Sequence, residues 1–123
     1  MHRNDATLEH IFALESENIS GQTFAPGQLV NANFTWQIPF SENFTAIYKG
    51  NIFGSWDQNN EIAQFHDGLT PAKGVSQYEN FSFYAPTTPG RYAIRIIFNA
   101  SYSFATSFTN YTHYKVDLVF QVQ

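Results

Sequence analysis

Glycine and proline divide this chain into short pieces, and that spacing constrains the fold more than any other feature of the sequence. Between successive breaks, no segment carries the apolar spacing of a helix of useful length. The breaks fall at Gly21, Pro26-Gly27, Pro39, Gly50, Gly54, Gly68, Pro71, Gly74, Pro86 and Pro89-Gly90. Short segments bounded by turn residues are typical of β-strands, so we expect a chain built from strands.

Three segments alternate strictly between apolar and polar residues, which places every second side chain on a buried face. They begin after Pro26-Gly27, at Arg91 and at Tyr114. Their predicted inward residues are Val30, Ala32, Phe34, Trp36 and Ile38, then Tyr92, Ile94, Ile96, Phe98 and Ala100, then Tyr114, Val116, Leu118, Phe120 and Val122. Weaker alternation predicts strands over residues 8–16, 44–53, 61–65 and 78–85, the last with Phe81 and Phe83 facing inward.

The composition of the 123 residues agrees with an all-β domain stabilised by packing. Aromatic residues reach 18% and charged residues only 13%, and aromatics suit a pleated, half-buried surface. The chain has no cysteine, which excludes disulfides and thiolate chemistry. We therefore predict a single antiparallel β-sandwich of about seven strands over residues 8–123, preceded by a flexible N-terminal segment over residues 1–7.

The segment APTTPGRYAIRI resembles a turn of immunoglobulin-like and fibronectin type III-like sandwiches. In those folds a tyrosine just after such a corner hydrogen-bonds to backbone upstream, and Tyr92, two residues after Gly90, matches that position. The resemblance implies an immunoglobulin-like architecture. It implies no binding residue, because many modules share this shape without sharing a function.

The triplet Asn-x-Ser/Thr, the acceptor sequence (sequon) for N-linked glycans, occurs six times. Random placement of 11 asparagines and 19 serines plus threonines gives roughly 1.7 such triplets. The candidate glycosylation sites are Asn18, Asn33, Asn43, Asn80, Asn99 and Asn110. The strand phase places Asn33, Asn80 and Asn99 outward, so the geometry permits glycans there, although alternating strands rich in Asn, Ser and Thr also generate such triplets without any glycan.

The segment GNIFGSWDQNNE contains the candidate ligand-binding residues Trp56, Asp57, Asn59 and Glu61. Oxygen ligands at every second position resemble the start of a calcium loop, and an adjacent tryptophan can stack on a sugar. An EF-hand is excluded because Ile62 and Gly68 replace the required glycine and glutamate. The alternative is that Trp56 is a packing lid over one end of the sandwich. We therefore expect no cofactor, with calcium as the weak exception.

No sequence motif predicts catalysis. The G-x-S-x-G, H-E-x-x-H and phosphate-loop patterns are absent. Glu15 and Glu17 form a carboxylate pair, which we interpret as part of a solvated strand edge. The histidines, at His2, His10, His66 and His113, lack metal-ligand spacing. We therefore predict that the chain is not an enzyme.

Charge and hydropathy limit the partners. A net charge of −4 without a basic run argues against nucleic acid, and no apolar run is long enough to span a membrane. The N-terminus lacks the apolar core of a secretion signal, so the chain is either cytosolic or a mature fragment of a longer protein.

The sequence predicts a non-catalytic extracellular or cell-surface module, serving as an adhesion, spacer, envelope or filament subunit and N-glycosylated. Its expected partners are surface proteins or glycans, contacted through loops GNIFGSWDQNNE and HDGLTPAKG. Residues 8–14 could also pair with the exposed sheet edge of a neighbouring copy. Two alternatives stay open: a carbohydrate-binding module of a secreted hydrolase, with Trp56 and one or two of Tyr48, Tyr78 and Tyr84 as stacking residues, or a cytosolic scaffold.

Overall fold

A computed structural model describes residues 12–37, 47–69, 74–101 and 112–123, with side chains for all of them except 47–49, 66–69, 99–101 and 112–114. These residues form eight strands, and the predicted all-β sandwich is confirmed. The strands are β1 (Ala13–Glu17), β2 (Thr23–Phe24), β3 (Leu29–Gln37), β4 (Ile47–Gly54), β5 (Asp57–Leu69), β6 (Gln77–Tyr84), β7 (Gly90–Ser101) and β8 (Thr112–Val122).

The strands form two sheets that pack face to face. One sheet has three strands in the order β1-β3-β6, and the other has five in the order β2-β8-β7-β4-β5. All pairs are antiparallel except β2 and β8, which run parallel. The sequence missed β2 because it has only two residues, and its pairing depends on backbone bonds from Gln121 and Gln123 to the carbonyls of Gln22 and Phe24.

Alternation along β3 confirms the predicted core face. Val30, Ala32, Phe34 and Trp36 are buried, whereas their neighbours are exposed or half-buried. The inward residues of β6, β7 and β8 whose side chains are described follow the prediction too. Ile38 lies outside the described residues, as do the side chains of Ala100 and Tyr114.

Aromatic rings dominate the space between the sheets. Phe34 and Trp36 are fully buried and meet Phe65 edge-on, with ring centres 5.1 and 6.1 Å apart. The Trp36 indole nitrogen donates to a carboxylate oxygen of Glu79 at 3.0 Å, so the buried N–H has a partner. Edge-to-face ring pairs of this kind add stability beyond the area they bury.

The predicted tyrosine corner is present at the turn before β7. The Tyr92 hydroxyl donates to the backbone carbonyl of Thr88 at 2.7 Å. Gly90 has a φ of 156°, and the Tyr92 ring lies against it. The hydrogen bond ties the start of β7 to the loop that leads into it.

Strand β1 is shorter than predicted and contains a bulge. Its pairing with β3 shifts between Leu14 and Ser16, so Glu15 is the extra residue and strict alternation ends there. Phe12, just before β1, is buried and stacks on Phe98 with ring centres 5.1 Å apart. The described part of the segment expected to pair with a neighbour, residues 12–14, therefore packs in its own core. Residues 1–11, which include the N-terminal segment predicted to be flexible, lie outside the described residues.

Candidate functional site: the outer face of the three-stranded sheet

Trp56 lies at the turn between β4 and β5 and packs over one end of the sandwich. Its ring centre is 5.8 Å from those of Phe83, Tyr92 and Phe120. The indole of Trp56 lies directly against the backbone of Gly54. This contact requires glycine, because a Cβ atom there would come within 2.7 Å of the indole. Trp56 is half-buried and packs against the core, as the packing-lid interpretation expects.

The oxygen-bearing residues after Trp56 do not converge. Three residues of β5 bulge out between the pairs Gly54–Asp57 and Phe53–Glu61, which disrupts the alternation that the sequence implied. The Asp57 carboxylate accepts hydrogen bonds from the amide of Asn60, at 3.1 and 3.2 Å.

Glu61 has amide partners of its own. Its carboxylate accepts hydrogen bonds from Gln64, at 2.7 and 3.2 Å, and from Asn51. Asn59 is exposed beside it. In the described residues, no group of three or more His, Asp and Glu side chains could hold a metal ion.

The outer face of the three-stranded sheet carries most of the described sequon residues. We call it the sequon face and define it by the outward residues of β3 and β6. They are Leu29, Asn31, Asn33 and Thr35 of β3, and Tyr78, Asn80, Ser82 and Tyr84 of β6. None of these side chains is charged, and most are polar, so the face is neutral.

The register of β3 and β6 sets the sequon asparagines side by side. Asn33 lies directly opposite Asn80, and Asn31 opposite Ser82. Directly paired residues have Cβ atoms about 4.5–5.5 Å apart. Two asparagines from distant parts of the chain therefore share one small area, in which Asn80 is exposed and Asn33 half-buried.

The hydroxyl groups of both sequons take part in cross-strand hydrogen bonds. The Ser82 hydroxyl donates to the side-chain oxygen of Asn31 at 2.8 Å. The Thr35 and Ser16 hydroxyls are hydrogen-bonded at 2.7 Å. Alternation along a strand places an asparagine and the hydroxyl two residues later on one face, so the sheet has a structural use for the residues that make a sequon.

Asn18 acts as a side-chain extension of β1. Its amide nitrogen donates to the backbone carbonyl of Asn31 at 3.1 Å, and its oxygen accepts from the backbone N–H of Asn33 at 2.9 Å. The two bonds satisfy one carbonyl and one N–H group of β3 just beyond the end of β1. Both polar atoms of the Asn18 side chain therefore belong to the sheet.

The other three sequons give no side-chain geometry. Asn43 and Asn110 lie outside the described residues, as do His2 and His10. The backbone of Asn99 lies in β7, where it pairs with Lys49 of β4 and with His113 of β8.

The acidic residues of β1 have structural partners. Glu15 accepts a hydrogen bond from Gln37 at 2.6 Å. Burial raises the pKa of Glu17, but the backbone amides of Ser20 and Ile19, at 2.7 and 2.8 Å, with the Ser20 hydroxyl, outweigh it and hold that pKa below its ordinary value. Glu17 thus stabilises the turn between β1 and β2 as an ionised group.

The opposite outer face, on the five-stranded sheet, carries an ion pair. Arg95 donates to both carboxylate oxygens of Asp117, at 2.8 and 3.0 Å. This hydrogen bonding lowers the pKa of Asp117. A depression of about 270 Å³ lies beside the pair, between Phe53, Ile97 and the β4–β5 turn.

The exposed tyrosines were not recognised in the sequence as neighbours of a sequon. Tyr78 is 61% and Tyr84 69% exposed, and they flank Asn80 and Ser82 on one face of β6. The pattern Tyr-x-Asn-x-Ser-x-Tyr was the available signal. Phe83 points inward to Trp56, so the sheet separates Trp56 from both tyrosines, and these residues do not form one stacking row.

Comparison with known proteins gives a distant structural likeness and no family. No protein-family model and no curated protein matches this chain. A solved structure, the ASH / PapD-like domain of human CEP192 (PapD-like domain 7), is similar to it, with 12% sequence identity over 87% of this chain and 83% of that chain, and a TM-score of 0.40. The β-sandwich architecture is established by the two sheets themselves, and no membership of the immunoglobulin or fibronectin type III families is shown.

In the parts of the chain that the structure describes, no helix has the length and hydropathy required to cross a membrane.

Proposed function

We propose that this chain is a non-catalytic β-sandwich module of an extracellular or cell-surface protein, and that it displays N-linked glycans from its sequon face. The observation that carries the proposal is the placement of Asn33 and Asn80 within that face. A glycan there would extend into solvent without disturbing the core, because the middle residues of both sequons, Phe34 and Phe81, are buried on the other side.

Two carboxylates, Glu17 and Asp117, have structural partners. The pKa values of Glu17 and Asp117 are lowered, and both groups are held by turn amides or by Arg95. A general acid requires a raised pKa near the working pH. These two groups therefore serve the turn and the sheet surface.

The module would act by presentation. Two packed sheets with an aromatic core hold their outer faces and end loops in fixed positions, as an adhesion, spacer, envelope or filament subunit requires. A neutral face of amides, hydroxyls and tyrosines suits contact with glycans or with other surface proteins. Calcium and other cofactors have no part in the proposal.

The test is the mass of the protein purified from its native source, with peptide mapping across the sequons. We expect peptides that contain Asn-x-Ser/Thr to carry glycan mass, which would place the protein outside the cytosol. A mass equal to that of the bare chain at every sequon would overturn the proposal and leave the cytosolic scaffold as the alternative.

A further inference from the structure

Three sequon asparagines have described side chains, and only one of them is both exposed and without a side-chain hydrogen bond to the described residues. The Asn18 amide is bound to the backbone of β3. Asn33 is half-buried, and its backbone N–H donates a hydrogen bond to the side-chain oxygen of Asn18. Asn80 is exposed, and none of the described residues donates to or accepts from its side chain.

Asn33 and Asn80 exclude each other as glycan carriers in the folded protein. They face each other directly across β3 and β6, with Cβ atoms about 4.5–5.5 Å apart. A sugar ring attached to one of them occupies the space above the other. The more exposed residue, Asn80, is the one with room for it.

Tyr78 offers a platform for the first sugar. It precedes Asn80 by two residues on the same face of β6, about 7 Å away along the strand. Its ring is 61% exposed. Since one face of a sugar ring presents C–H groups, stacking on Tyr78 would remove apolar surface of both rings from water.

We propose that Asn80 is the glycan-bearing residue of the sequon face, that its first sugar stacks on Tyr78, and that Asn33 and Asn18 serve the sheet without a glycan. This inference rests on the proposed function. It adds a specific site and a structural role for the glycan, which covers an aromatic side chain that the sandwich leaves exposed.

The covalent step is a glycosyl transfer to an amide. The Asn80 side-chain nitrogen forms a bond to C1 of the sugar and loses one proton, while the bond from C1 to the diphosphate of a lipid-linked oligosaccharide breaks and the lipid diphosphate leaves. The co-reactants are therefore a lipid-diphosphate-linked oligosaccharide and a membrane-bound oligosaccharide transferase. Transfer precedes folding or acts on an opened strand, because Ser82 is hydrogen-bonded to Asn31 in the finished sheet.

Peptide mapping of the native protein tests the choice of site. Enzymatic removal of the glycans converts each occupied asparagine to aspartate, which marks the site. We expect the mark at Asn80, with Asn33 and Asn18 unmarked. A mark at Asn33 with Asn80 bare, or marks at both on the same molecules, would overturn this inference while leaving the proposed function standing. A bare chain throughout would overturn both.

A stability comparison tests the stacking. The wild type, Tyr78→Val and the control Tyr84→Val are secreted from an N-glycosylating host, and each is melted before and after the glycans are removed. We expect the glycan to raise the melting temperature of the wild type and of Tyr84→Val by roughly 2–5 °C, and to leave Tyr78→Val unchanged. An equal rise in Tyr78→Val would overturn the stacking.

A measurement on the wild type removes any dependence on the folding of the variants. Tyrosine nitration is followed at each residue by peptide mapping, with and without the glycan. We expect the glycan to protect Tyr78 several-fold and to leave Tyr84, about 14 Å from Asn80 along the strand, equally reactive. Equal reactivity of Tyr78 in both forms would contradict the stacking.

Discussion

Individual side chains in this protein make hydrogen bonds to backbone groups at the point where a strand ends and the chain turns. The side-chain amide of Asn18 bonds to one carbonyl and one N–H group of β3 beyond the end of β1. The carboxylate of Glu17 accepts hydrogen bonds from two backbone N–H groups in the turn that follows. Neighbouring residues thus satisfy donors and acceptors at the point where the three-stranded sheet gives way to the β1–β2 turn. Asparagine suits the first role because its side chain carries a donor and an acceptor.

Replacement of Asn18 tests its bridging role. We expect Asn18→Ala to lower the free energy of unfolding by about 1 kcal/mol, because two hydrogen bonds to backbone are lost at a partly solvated edge. Urea denaturation of protein made without glycans measures the change. Asn80→Ala is the matched control, since it removes an asparagine amide from the same face, and it should stay within about 0.5 kcal/mol of the wild type.

The pH dependence of stability tests Glu17. Its pKa is lowered in the folded protein, so the stabilisation it provides is complete above its unfolded pKa and is lost as the pH falls through the folded value. We expect the stability difference between the wild type and Glu17→Gln to be largest near pH 7 and to shrink below about pH 4.5. A difference that is independent of pH would contradict this role, and Glu15→Gln controls for the loss of one negative charge on β1.

At the scale of elements, β4 contains two glycines against which aromatic rings pack. Gly50 is paired with Phe65 of β5, and a Cβ atom at Gly50 would overlap the Phe65 ring. At the end of the same strand, a Cβ atom at Gly54 would overlap the indole of Trp56. Neither glycine has a positive φ, so ring packing, rather than backbone conformation, requires them.

A double-mutant cycle tests this packing. We expect Gly50→Ala to lower the free energy of unfolding by about 1–3 kcal/mol, because the added methyl group displaces the Phe65 ring. In a Phe65→Leu background the same change should cost distinctly less, since the ring is gone. Urea titrations of the four proteins give the coupling energy, and equal costs in both backgrounds would show that the ring is not the cause.

At the scale of the whole molecule, the aromatic core joins both ends of the sandwich. Trp36 packs near Phe12 and Phe98, whereas Trp56 packs on Phe83 and Phe120. Phe81 connects these regions, since its ring meets those of Phe34 and Phe83. The two tryptophans therefore report on different parts of one continuous core.

Cooperative unfolding is the expected consequence. In Trp36→Phe and in Trp56→Phe, the fluorescence of the remaining tryptophan and the far-ultraviolet circular dichroism should give the same urea midpoint, because a single core of this size unfolds in one step. Fluorescence of Trp56 lost at lower urea than the circular dichroism signal would show that the lid end of the sandwich opens separately.

The sequence by itself determined the positions of all the strands except β2, and the buried face of β3, β6, β7 and β8. That follows from local geometry, since successive side chains on a strand point to opposite faces whatever its neighbours are. Alternation was therefore enough to place Trp36, Phe81 and Phe98 in the core, whereas the corner at Tyr92 was implied by the resemblance of its segment to an immunoglobulin-like turn.

Only the tertiary structure decided which residues of different strands are neighbours. The register that sets Asn33 against Asn80, the bulges in β1 and β5, the bridging by Asn18 and the pairing of Arg95 with Asp117 join segments far apart in the chain. No local pattern encodes such contacts, because register depends on how all the strands fill one shared core. Six sequons are visible in the sequence, but the choice of Asn80 as the glycan carrier depends on that register.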